Sequence, residues 1–384
     1  MLDLITENLE PYRLRSDELG DAVIAEIFAR GDLDAVNQVF RSLVTNHQVP
    51  DDLPPEARDF FESTGELPSF ADPRLIAQGQ QVFTKFGPTL FMVLFCKALT
   101  ECYSCWRGAE VLYRTGRMVE QTPDFRRYSR RLMETGQFVT DALSEGGLDS
   151  GGRGIVTIQK LRLIHASIRH YLLAKGWDRE TFGVPINWED EVGTLMAFSL
   201  TVLEGLEMLE VELSPEEKEG FLHTWIVIGH LLGMPPELLP QTLEDARALK
   251  ALILKRHIGP SEAGRVLTRS AAEYMAYLTP GTLFDGYPET LMRTLVSEDV
   301  AQAVSLQDVE RDDPQASLDR KLVNLYRVFN HDLSELENHS SAVRGASRFF
   351  ERHLLQGILG HFGHTKAYHF TIPPSLRGRW KVES

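Results

Sequence analysis

Ile155-Val156-Thr157-Ile158-Gln159-Lys160-Leu161-Arg162-Leu163-Ile164-His165-Ala166-Ser167-Ile168-Arg169-His170-Tyr171-Leu172-Leu173-Ala174-Lys175 is the stretch that decides how this chain is read. Its apolar residues recur at three- and four-residue steps, the period of a helix, and Gly176 supplies a natural stop. On that helix Arg162, His165 and Arg169 share one face, with Leu161, Ile168 and Leu172 flanking it.

The same period runs outward in both directions. Helices are expected over 19–30, 33–43 and 54–63, the last begun by Pro54-Pro55. Asp72-Pro73 is a recognisable cap and first turn. Gly87-Pro88 predicts a break or kink, followed by one long buried helix over 89–115. Another helix covers 124–143, and 144–154, with five glycines, reads as a flexible loop. After 155–175 come helices over 189–209 and 214–232, the latter opened by Ser214-Pro215-Glu216-Glu217. Further helices are expected over 242–258, 261–278, 318–329 and 341–358. Two-residue alternation is scarce, and 369–372 is one short possible strand. The residues therefore predict an all-α chain with one main domain and helical additions at each end.

Composition narrows the function classes. The chain has 384 residues, 55 acidic against 40 basic, and a formal charge of -15. A nucleic-acid binder needs a basic face to neutralise phosphates. The densest basic run, 126–131, is followed by Glu134 and Asp141 on the same predicted helix, so nucleic acid is not an expected partner. Met1-Leu2-Asp3-Leu4-Ile5-Thr6-Glu7 lacks the basic leader and apolar stretch of a secretory signal. The apolar run 90–96 stops at Lys97, short of a membrane span. No transmembrane segment and a cytoplasmic location are the resulting expectations.

Three cysteines occur, Cys96, Cys102 and Cys105. An odd, small number argues against a disulfide framework. Cys102 and Cys105 form a CxxC, but no second pair completes a zinc site and Trp106 replaces the His of a covalent haem motif. A thioredoxin-like motif opens a helix, whereas this one is expected inside a helical segment. The reading left is small residues on a buried helix face.

Several familiar chemistries are absent. The chain has no pair of ExxH motifs for a di-iron site, no HExxH, no GxSxG elbow and no Walker loop. Three faces remain. On the first, His165 can ligate a metal or haem iron while Arg162 and Arg169 meet anionic propionates. A hydrogen-bonded core histidine with solvent-reaching arginines explains the same spacing, and does so more often. On the second, Arg131 and Thr135 are i,i+4 neighbours that can enter one pocket; an Arg131–Glu134 surface pair is the plain alternative. On the third, His223 and His230 lie two turns apart on an otherwise apolar helix, where core packing is again the commoner explanation.

The order of these elements resembles one family. Leu67-Pro68-Ser69-Phe70-Ala71-Asp72-Pro73, Leu112-Tyr113-Arg114-Thr115-Gly116-Arg117, Arg131-Leu132-Met133-Glu134-Thr135, Gly152-Arg153-Gly154 and Arg162-Leu163-Ile164-His165-Ala166 with Arg169 come in sequence. Pro185-Ile186-Asn187, Gly193-Thr194-Leu195-Met196-Ala197-Phe198-Ser199 and the His223 to His230 helix ending Leu232-Gly233-Met234 follow. Together they are similar to the rubber oxygenases (latex clearing proteins) and the related mycophenolic-acid-pathway oxygenase, which share a haem-b catalytic domain.

That resemblance implies a globin-like multi-helix bundle around a haem pocket. It places the oxygenase domain at 67–298, with a helical extension at 1–66 and another at 299–384 packed on the core. His165 is then the proximal iron ligand, and Arg169 lies near the haem and its propionates. Arg162, His223 and His230 complete the implied cofactor-binding set. Arg131 and Thr135 match positions on the distal side. Glu134 stands where some relatives carry a lysine that can ligate the iron, and it can act as a base, as a weak oxygen ligand or only as a partner of Arg131. Trp188 stands where relatives often have a polar residue. The implied reaction uses O2 to cleave a C=C bond of an apolar small-molecule substrate, isoprenoid or polyketide-like. A non-catalytic haem or lipophile carrier on the same scaffold is the alternative. Substrate, oligomeric state and distal ligand stay open at this level.

Overall fold

The described helices, in chain order, follow from the periodicity almost throughout. In this computed structural model the described residues are 8–29, 49, 53–116, 118–119, 125–278 and 287–306. The expected helices over 33–43, 318–329 and 341–358 and the strand at 369–372 lie outside them. Within them run α1 (Glu18–Ala29), α2 (Pro55–Ser63), α3 (Pro73–Val93), a π-turn (Leu94–Ala98), α4 (Leu99–Ser104) and α5 (Trp106–Thr115). Next come α6 (Arg126–Leu143), α7 (Arg153–Ala174), the single turn α8 (Arg179–Phe182), α9 (Trp188–Phe198) and α10 (Leu200–Met208). The described part closes with α11 (Pro215–Leu231), α12 (Leu243–His257), α13 (Glu262–Leu278), α14 (Tyr287–Leu295) and α15 (Glu298–Ala303). Among the described residues there is no strand, only an isolated antiparallel bridge between Cys105 and Ile258. The chain is all-α.

Local chemistry sets the helix ends. The Ser214 N–H donates to Glu217 Oε2 at 2.9 Å and the Glu217 N–H donates to Ser214 Oγ at 3.2 Å. This reciprocal capping box satisfies two amides that the first turn of α11 would otherwise leave open.

Four expectations are corrected. Helix α3 runs unbroken through Gly87-Pro88. Proline removes one donor, but Phe83, Leu90, Met92 and Val93 around it are all buried, and burial overrides the propensity. The long helix expected over 89–115 instead breaks at Cys105 (φ −79°, ψ 86°). There the Ser104 carbonyl accepts the Gly259 N–H at 3.0 Å, so the chain leaves helical geometry to join a neighbouring segment. The helix expected over 189–209 is two, divided at Ser199 (φ −102°, ψ −84°). The glycine run after α6 is a closed connector: Gly154 N–H donates to Gly147 O at 2.9 Å, and a Cβ on Gly147 would sit 2.1 Å from the Asp141 carbonyl.

The described residues divide into two compact units. The first draws on Met1–Gln81, Thr135–Met196 and Glu219–Ile253, the second on Val82–Glu134, Ala197–Lys218 and Leu254–Ser384. In the first, Val23, Ile24 and Ile27 of α1, Ala57, Phe60 and Phe61 of α2, and Leu163 and Ala166 of α7 form one buried cluster. Each large aliphatic or aromatic side chain taken from water there contributes about 1.5–3 kcal/mol. The second unit buries Tyr103, Tyr128 and Tyr274 completely.

The apolar stretch Pro73–Ser104 runs from the first unit into the second. By length and hydropathy (1.4) this helical stretch could cross a membrane, yet 67% of its most apolar window is buried inside the protein. Lys97 does not end it. The ammonium is buried and donates to Glu101 Oε1 and to the Leu295 carbonyl, both at 2.8 Å, while Thr201 Oγ1 donates to Glu101 Oε2 at 2.9 Å. A fully partnered lysine is compatible with an apolar helix.

Candidate functional site

The residue that brings the first unit's polar groups together is Glu191, on α9. Its position is fixed from the segment before α1. The Val184 N–H donates to the Arg13 carbonyl at 2.8 Å and the Trp188 N–H to the Arg15 carbonyl at 3.0 Å. The buried Arg13 guanidinium binds Asp190 (2.9 Å) and Glu189 (3.5 Å), and donates to the Phe182 carbonyl. Asn187 donates to the Val184 carbonyl at 2.9 Å and accepts the Asp190 N–H at 3.0 Å, capping α9. Ile186, just before it, sits at φ +53°, a left-handed conformation that is rare for a β-branched residue. Its carbonyl accepts Arg169 Nη1 at 3.2 Å.

On α7, the three residues expected on one face take different roles. His165 Nδ1 lies 3.3 Å from Glu191 Oε1, and the side chain is 20% exposed. With Glu191 ionised, this contact puts the ring proton on Nδ1 and the lone pair on Nε2. Nε2 has no hydrogen-bond partner among the described residues. Arg169 is 1% exposed; its Nε donates to Asp21 Oδ1 at 2.7 Å and its Nη1 lies 3.8 Å from Glu191. Arg169 Nη2 is buried with no hydrogen-bond partner.

Arg162 is committed elsewhere. Its Nε and Nη2 each bind one oxygen of Asp17 at 2.8 Å, Nη1 reaches the Leu231 carbonyl at 3.4 Å, and Cζ lies 5.1 Å from the Phe60 ring centroid. Gly233 makes room for it. At φ +87°, a Cβ there would stand 2.6 Å from Arg162 Nη2.

His223 and His230, two turns apart on α11, share the Phe70 ring, which meets them edge-on at centroid distances of 6.4 and 5.6 Å. His223 Nε2 accepts the Asp72 N–H at 3.0 Å. Burial lowers the His223 pKa, against the opposing pull of Asp72 and Glu219. Burial also lowers that of His230, and the Arg162 charge pushes the same way. His230 Nδ1 is buried without a hydrogen-bond partner.

The α6 candidates fall on both sides of the division. Thr135, half-buried, belongs to the first unit. Arg131 and Glu134 belong to the second, where Glu134 accepts from Arg130 Nε at 3.3 Å and the Arg131 charge acts on the buried Tyr103.

Sequence reasoning found His165 and Arg169 but missed the carboxylates that hold them, Glu191 and Asp21, along with Asp17 and Arg13. Glu189-Asp190-Glu191 reads as ordinary first-turn acid, and only its burial (0% exposed at Glu189, 6% at Glu191) marks it out. Residues 9–17 carry no periodicity that would draw notice.

Among the described residues no three His, Cys, Asp or Glu side chains converge as a metal-binding group. A single positioned imidazole is instead the donor set of a haem, whose macrocycle supplies the other nitrogens. The open Nε2 of His165 and the orphaned Nη2 of the neighbouring Arg169 fit that group, one for the iron and one for a propionate.

A family model described as the ER-bound oxygenase mpaB/B'/Rubber oxygenase catalytic domain matches residues 84–329. The chain belongs to that family. The rubber oxygenase of Streptomyces sp. (strain K30) is 28% identical over 274 residues, which cover 69% of this chain and 64% of that protein's length. A solved structure of latex clearing protein LCP in the closed state superposes with a TM-score of 0.73 at 24% identity, covering 92% of each chain. At that identity the superposition speaks for the fold.

Proposed function

We propose that this member of the oxygenase family is a haem-b enzyme that uses O2 to cleave a C=C bond of an apolar substrate into two carbonyl products. The observation that carries the reading is the His165–Glu191 contact. Histidines that ligate a metal commonly donate their other ring N–H to a carboxylate, which fixes the tautomer and raises ligand basicity.

A bound haem would supply the redox-active iron at which O2 is activated. This chain's residues would do the rest. His165 offers Nε2 to the iron, and Glu191 accepts the Nδ1 proton and holds the ring. Arg169 sets a buried positive charge beside them, able to receive a propionate. Arg162 acts as a positioning residue, tying α7 to Asp17. His223 and His230, whose pKa values burial lowers, offer polar edges beside Phe70. Thr135, Arg131 and Glu134 are the distal-side candidates, on the strength of the family pattern alone. The Streptomyces relative, named for rubber, favours an isoprenoid substrate; a polyketide-like alkene suits the other branch named in the family description.

Visible spectra of the purified protein, oxidised and reduced, test the cofactor. A Soret band is expected in the wild type and none in His165→Ala of unchanged circular dichroism. Equal Soret bands in both would remove His165 as ligand. Oxygen uptake with a soluble polyene, and trapping of the carbonyl ends with a hydrazine reagent, tests the reaction. A haem-loaded protein that consumes no O2 above background would instead be a carrier.

A further inference from the structure

The CxxC motif is not where its sequence context suggests. Helix α4 ends at Ser104 and α5 begins at Trp106, so Cys105 stands between them as the N-cap of a ten-residue helix. The Cys105 carbonyl accepts the Ala109 N–H at 2.9 Å, the first bond of α5. The Cys105 N–H donates to the Cys102 carbonyl at 3.2 Å, closing a four-residue turn. Such a turn brings its end Cα atoms within about 7 Å, and disulfides span about 4.4–6.8 Å. The Cys105–Ile258 bridge and the Gly259-to-Ser104 hydrogen bond hold this turn from the other side.

Reactivity is distributed unevenly over the cysteines. Cys102 and Cys105 are both half-buried, and neither is in a disulfide. Cys105 stands at the N-terminal end of α5, the end of a helix at which the dipole favours negative charge in general. Cys96 is fully buried, and burial pushes its thiol far up.

We propose that Cys102 and Cys105 are a redox-active dithiol that closes reversibly to an intramolecular disulfide by exchange with a small disulfide of the glutathione class. The Cys105 thiolate attacks one sulfur of the small disulfide and displaces the first small thiolate. The Cys102 thiolate then attacks Cys105 Sγ in the mixed disulfide and displaces the second. Two protein S–H bonds and one S–S bond are exchanged for one protein S–S bond and two small thiols, so the protein is oxidised by two electrons and the small disulfide is reduced. The exchange requires no metal or cofactor.

The full-length protein is incubated with oxidised glutathione, quenched in acid, unfolded and alkylated, and its thiols are counted by intact mass. The expected count falls from three to one, with Cys96 alkylated and a Cys102–Cys105 link in the peptide map; dithiothreitol restores three. Cys102→Ser should trap one glutathione on Cys105. The proposal is overturned if the wild type keeps three alkylatable thiols, or if it accumulates the mixed disulfide without resolving it. The wild-type count stands whether or not the variant folds.

Discussion

Glu191 Oε1 lies within reach of two neighbours on α7, His165 Nδ1 at 3.3 Å and the Arg169 guanidinium at 3.8 Å from Nη1. One buried carboxylate therefore orients the imidazole and partly balances the guanidinium beside it. If His165 is an axial ligand, removal of this carboxylate loosens the ring and lowers its basicity together.

Glu191→Ala is thus expected to weaken haem binding by about 10–100-fold, the usual effect of losing such an outer partner. Glu191→Gln, which keeps an acceptor oxygen, should lose less. Haem titration followed at the Soret band separates the two; equal affinities in wild type and Glu191→Ala would disconnect Glu191 from the ligand.

Asp17→Ala leaves Arg162 buried with its two shortest hydrogen bonds gone. Breaking one partner of a buried pair costs about 3–5 kcal/mol, because the remaining charge stays desolvated. Urea denaturation should show that loss, and the double variant with Arg162→Met should recover a substantial part of it. A single variant as stable as wild type would mean the guanidinium finds water.

The second unit offers a parallel case. Lys97→Met strands Glu101, which is held by Lys97 and Thr201. A destabilisation of about 3–5 kcal/mol is expected, again largely relieved when Glu101→Leu is added. Denaturation midpoints of the single and double variants measure it.

Protons act against the α11 histidines. Both fold with a pKa below the ordinary 6.5, chiefly through burial. Between the depressed folded value and 6.5 the unfolded chain binds more protons, so stability rises with pH there and is lost as pH falls below about 6.5. His223→Gln with His230→Gln should flatten that part of the profile. An unchanged slope in the double variant, read from urea midpoints against pH, would assign the effect to other groups.

Much of the fold was legible because helices advertise themselves: period, caps and glycine stops are local, and α2, α7, α11, α12 and α13 fall within a residue or two of expectation. What escaped was set by contacts distant in sequence. The break at Cys105 exists because Gly259 takes the Ser104 carbonyl, and the run through Pro88 exists because its neighbours are buried. The site divides in the same way. His165 and Arg169 show on one helix by spacing, whereas Glu191, Asp21 and Asp17 arrive from other segments whose own patterns are unremarkable. Arg162 looked equivalent to Arg169 by helical phase, and their different carboxylate partners, Asp17 for the first and Asp21 for the second, tell them apart.

The anionic partners Asp17 and Asp21 precede the family-matched region, which begins at residue 84. A recombinant fragment cut to residues 84–329 would retain Arg162, Arg169, Glu189 and Asp190 while discarding Asp17, Asp21 and Arg13. Two buried guanidiniums, the buried Glu189 and the half-buried Asp190 would then be left without these counterions. The smallest piece of this gene worth expressing accordingly starts ahead of Leu9, well upstream of where sequence similarity would set the boundary.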